Sequence, residues 1–113
     1  MKSIREKLHI KEDKNLLLID PPEGYSLSTG SSSIENAEII QIFISSQEGL
    51  ENFALTLARL KKSCALWITY PKASPHLGIN RDSIAAFLLP LGWKGIAICA
   101  IDAKWSALRF KAL

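Results

Sequence analysis

The chain has 113 residues, 48% of them apolar and 22% charged. That balance supports a folded core and excludes a disordered polymer. The formal net charge of +3 is too small to imply nucleic acid as a partner.

Residues 1–15 are charged and lack an apolar segment, unlike a signal peptide. Residues 3–9, "SIREKLH", fit a short helix with Ile4 and Leu8 on one side. His9 is expected to end it. "LLLID" (16–20) is a continuous apolar run, the pattern of a strand buried on both faces. Pro21-Pro22 stops it, and the loop to about residue 36 has no clear period, though a short helical turn would fit.

"AEIIQIFIS" (37–45) predicts a second strand. "SQEGLENFALTLARLKK" then predicts a helix, with Ser46 as cap and Glu48 near its N-terminus. Its apolar stripe runs through Leu50, Phe53, Ala54, Leu57 and Leu60 or Lys61, and Lys61-Lys62 suits its C-terminal end. "CALWITY" (64–70) is a third strand, ended by Pro71. After the "PKASPHLG" loop, "NRDSIAAFLLPLG" predicts a helix with Asn80 as cap and Asp82 in its first turn. Ile84, Phe87, Leu88 and Leu91 form its stripe, with Pro90 and Gly92 closing it. Residues 93–102 and 104–113 predict two strands joined by a tight turn near Asp102, hence antiparallel. Strands separated by helices must run parallel through right-handed crossovers. There is neither an internal repeat nor a linker, so one compact α/β domain over 1–113 is expected.

Charge is unevenly distributed. Residues 15–58 carry Asp20, Glu23, Glu35, Glu38, Glu48 and Glu51 without one Lys or Arg. Residues 59–113 are rich in Lys and Arg, with only Asp82 and Asp102 as acids. The two halves are expected to balance within one fold. The sharper alternative is a bipolar surface for self-association or an acidic partner, with Lys61, Lys62, Lys72, Arg81 and Lys94 on the basic side. Cys64 and Cys99 lie in apolar runs, with no zinc, CxxC or disulfide spacing. A reduced, cytoplasmic protein follows. No run approaches the ~20 apolar residues of a bilayer span.

The second half resembles the later part of class I S-adenosylmethionine-dependent methyltransferase folds. The resemblance implies a three-layer Rossmann-like α/β fold. Its five-stranded mixed sheet would take the order 1-2-3-5-4, with only the last strand antiparallel. Fold likeness alone carries no function. Three motifs, "LLLIDPPEGY", "LWITYPKAS" and "ICAIDAKWSALRF", are similar to those of the small bacterial family catalogued as domain of unknown function 3052. Asp20-Pro21 stand where that family usually has Asn-Ala, and Tyr70 replaces a common Trp. The resemblance implies a compact α/β domain and no particular reaction.

The loop after the first strand occupies the place where many α/β proteins hold a phosphate. Here Pro21 and Pro22 lack two of the N–H donors such a cradle needs, and Asp20 and Glu23 add negative charge. No glycine-rich phosphate motif is present. Asp20 or Glu23 could instead bond ribose hydroxyls or an amine, and Gly24 suits a turn that carries Tyr25 over the core edge. At the third strand's carboxyl end, Tyr70 and Lys72 are candidates to meet a carboxylate or phosphate, with Ser74 and His76 nearby. Trp105, beside Asp102 and Lys104 in the hairpin, packs on the sheet or anchors a partner. No catalytic set, metal site or cofactor is expected from the sequence.

The leading expectation is a non-enzymatic or accessory domain acting through protein contact, with a homodimer as one form. A small-molecule binder, adenosine-like or carboxylate, is the alternative. Nucleic acid through the basic half is disfavoured, because its aromatics follow the period of a half-buried hairpin. No membrane partner is expected.

Overall fold

A computed structural model describes residues 3–10, 15–25, 33–72 and 78–113. Three strands run parallel: β1 (Leu16–Ile19), β2 (Ile39–Phe43) and β3 (Ala65–Pro71). After them come β4 (Trp93–Ala100) and β5 (Trp105–Ala112). The sheet order is β1-β2-β3-β5-β4. β5 runs antiparallel to both of its neighbours, β3 and β4, so order and direction match expectation.

Alternation along the strands sends neighbouring side chains to opposite faces. On one face Ile40, Ile42, Leu66, Ile68, Leu108 and Phe110 pack with Leu50 and Phe53 of α2 (Gln47–Ala54) and with Ile84 and Leu88 of α3 (Arg81–Leu88). On the other, Ile39, Trp67 and Ala107 pack with Leu8, Ile10 and Ile101. Among the described residues, one turn of helix, α1 (Ile4–Lys7), and Tyr25 cover this second face. None of the described helices is long and apolar enough to cross a membrane.

The caps are local and complete. Ser46 Oγ accepts from the Gly49 N–H at 3.0 Å. At α3, Asn80 Oδ1 accepts from the Ser83 N–H, and the Asn80 N–H donates to Ser83 Oγ, both at 2.9 Å. At α1, Ser3 and Glu6 form the same reciprocal arrangement.

Four expectations are corrected. The helix expected to reach Lys62 keeps regular geometry only to Ala54 and continues as a 3₁₀ turn, Leu57–Arg59. Thr56 Oγ1 donates to the Phe53 carbonyl at 2.8 Å, competing with the next helical bond. Leu57 and Leu60 are still buried, whereas Lys61 and Lys62 are exposed beyond the helix. Leu91, placed on the buried stripe of α3, is 48% exposed because a 3₁₀ turn from Leu89 to Leu91 rotates it off that face. Gly92 then reverses the chain at φ +93°. In β1 only Leu16 is buried, because this strand lies at a sheet edge where the covering layers thin out. The final hairpin is not evenly half-buried: β5 is mostly interior, while β4 is buried only at Trp93. Pro71 ends β3 as expected, as the strand's last residue, paired with Trp105.

Candidate functional site

The carboxyl ends of β1, β2 and β3 carry most of the polar chemistry. Asp20 leaves β1 at φ +55°, a left-handed conformation that Asp tolerates better than most residues. Gly24 follows at φ +79°, and the Tyr25 N–H closes the turn on the Pro22 carbonyl at 3.2 Å. The turn brings Tyr25 back onto the sheet. Its hydroxyl donates to Gln41 Oε1 at 2.8 Å, and Gln41 Nε2 donates to Thr69 Oγ1 at 3.0 Å. Gln41 and Thr69 are fully buried, so this polar chain crosses the sheet interior from β2 to β3.

Aromatic rings frame it. Tyr25 meets Phe43 edge-on at 4.8 Å between centroids, and Phe43 meets Trp105 edge-on at 5.2 Å. Lys104 Nζ lies 5.1 Å from the centre of the Trp105 ring. Asp102 Oδ1 accepts from the Lys104 and Trp105 N–H groups, each at 2.8 Å. The Trp105 N–H, then that of Lys104, and the charges of Lys72 and Lys7 hold this carboxyl below its ordinary range.

The structure brings only part of the predicted set together. Asp20 and Trp105 line one recess of about 390 Å³, with Pro22, Phe43, Ser46 and Gly49. Glu23 and Gly24 are exposed on the turn outside it. Lys72 is partly buried and donates its N–H to the Lys104 carbonyl at 2.8 Å, on the hairpin side. Tyr70 is 6% exposed and packs in the core beneath α2 and α3, on the face away from Trp67 and Ala107. Ser74 and His76 lie outside the described residues.

Residue-by-residue reasoning missed the Tyr25–Gln41–Thr69 chain. Its one signal was Gln41, a lone amide inside the apolar run "AEIIQIFIS". The groups here bind and orient more readily than they transfer protons. Burial, with the nearby Asp102 charge, pushes the Tyr25 phenol up to about 12, so near neutral pH it is a donor. Burial likewise pushes the Cys64 thiol up to about 11, away from nucleophilic character. Among the described residues no three His, Cys, Asp or Glu side chains gather as metal ligands.

No protein-family model matches the chain, and neither does any curated protein.

A second feature lies at the far edge of the sheet. β4 pairs with β5 on one side and, among the described residues, with no strand on the other. Ile96 and Ile98 are 46% and 50% exposed along it. From Gly95 to Ile101 it carries no charge. Its register with β5 shifts between Gly95 and Ala97, leaving Ala97–Ala100 as the regular stretch. Long, uncharged, apolar edges are what proteins usually blunt or cover.

Proposed function

We propose that this domain works through protein contact, pairing with a second copy of itself through β4. The β4 edge carries this reading. Its outward backbone groups and two half-exposed isoleucines sit in an uncharged stretch between Lys94 and Asp102. An antiparallel pair about a two-fold axis near Ile98 sets like against like without opposing charges. Neighbouring isoleucines then cover one another. The opposite edge, β1, offers only four residues. Sedimentation velocity across the micromolar range tests this, comparing the native chain with Ile98→Lys. The native chain is expected to dimerise at high micromolar concentration, and the variant to stay monomeric with an unchanged circular dichroism spectrum. A native chain that remains monomeric throughout would overturn the pairing.

The finer fold assignment belongs to the same proposal. The sheet order supports a three-layer Rossmann-like arrangement. Kinship with domain of unknown function 3052, and the bacterial origin that kinship carries, rests on the sequence motifs alone. A reduced, cytoplasmic setting fits two free thiols.

One observation favours a second reading, a small-molecule binder. Asp20 and Trp105 share the carboxyl-edge recess, where an acid beside an indole suits an uncharged ring bearing hydroxyls. Thermal melts with adenosine and its uncharged derivatives test it. No stabilisation across that panel sinks it.

A further inference from the structure

At the other end of the sheet, a recess of about 240 Å³ opens beneath the end of α1, with His9, Glu38, Ser63 and Arg109 on its walls. We propose that it binds a small carboxylate bearing a hydroxyl or amino group, with Arg109 as the principal donor.

Arg109 on β5 sits opposite Trp67 on β3, and its guanidinium carbon lies 5.9 Å from the centre of the indole ring. Trp67 is 1% exposed. Its Nε1 and the Nε of Arg109 are both buried and have no hydrogen-bond partner. Both groups can only donate; of the two, Arg109 lines the recess, so it is Arg109 that can find its acceptor there. A buried donor left unpaired is costly, because it has given up water without gaining an acceptor. The ion pairs among the described residues join Arg59 to Glu35 and Arg81 to Asp82, and neither includes Arg109.

The chemistry of the wall narrows the ligand. A planar guanidinium fork matches the two oxygens of a carboxylate. Ser63 and His9 offer further polar atoms. The Glu38 carboxylate, which accepts from the Asn15 N–H at 3.3 Å, opposes a multiply charged anion such as phosphate and favours a ligand that also donates. The volume lies below the ~300–1,000 Å³ of pockets that hold drug-sized molecules. A few heavy atoms fit. This recess is separate from both the β4 edge and the Asp20–Trp105 recess.

Nitrogen-15 NMR of the full chain reads the Arg109 donor directly, and the Trp67 indole, which lies against the guanidinium, as a neighbouring reporter. Lactate and alanine are the probes, with sodium chloride at equal ionic strength as control. Saturable shifts of the Trp67 indole N–H and the Arg109 Nε–H are expected with lactate or alanine and not with chloride. Arg109→Lys keeps the charge and loses the fork. It is expected to bind at least about tenfold more weakly, while the Trp93 and Trp105 indole resonances stay in place as a check on folding. Three results would each overturn the proposal: no saturable shift, the same shift with chloride, or undiminished binding by the lysine variant. Tighter binding of inorganic phosphate than of either probe would overturn the assigned ligand class.

Discussion

Replacing Phe110 with alanine is expected to cost about 3–5 kcal/mol of stability. Phe110 is fully buried on β5, in register with Leu66 of β3 and Gly95 of β4. Its ring covers Gly95 so closely that a Cβ there would lie 3.4 Å from Phe110 Cε2. The side chain therefore joins the two strands that flank β5. Neighbours held in a hydrogen-bonded sheet cannot collapse into the space an alanine leaves, so both the transfer loss and the cavity contribute. Against a total stability on the order of 5–15 kcal/mol, this is a large fraction. Urea unfolding followed by circular dichroism checks it. The midpoint should fall with little change in slope, and a cost below about 1 kcal/mol would contradict the central position of the ring.

Changing Gln41 to leucine should cost about 1–3 kcal/mol for a different reason. The amide is the middle link between the Tyr25 and Thr69 hydroxyls. An apolar replacement leaves both hydroxyls without their partner while adding no cavity of consequence. Thr69→Val made on top of Gln41→Leu removes one of the stranded hydroxyls, so the pair should cost less than the two single changes added together. A double-mutant cycle measures that coupling, and strict additivity would mean the chain is not one network.

Legibility differed sharply between elements. Ser46 and Asn80 were readable as caps because capping depends on residues three apart in sequence. The strand positions followed from apolar runs bounded by Pro and Gly. Placing β5 between β3 and β4 did not follow from any run of residues. It came from a fold-level resemblance, because lateral order is set by crossover geometry rather than local pattern. The early end of α2 was hidden, since Leu57 and Leu60 keep a helical spacing through the 3₁₀ turn. Asp20 and Trp105, both site candidates by sequence, line one recess. Tyr70 stands at the right place in sequence, but strand parity sends its side chain into the core. Arg109 read as one basic residue among many. Only cross-strand register sets it against Trp67.

The position of β5 has a consequence for biosynthesis. β3 gains its second neighbour only from residues 105–112, which are made after β4. As the chain leaves the ribosome, β1, β2 and β3 can align while the far side of β3 stays open. The emerging β4 has no place in the sheet until β5 pairs with it. Non-local pairing of this kind slows folding and leaves strand edges available to other molecules in the meantime. A nascent chain stalled before β5 has emerged should therefore be the species most readily bound by chaperones.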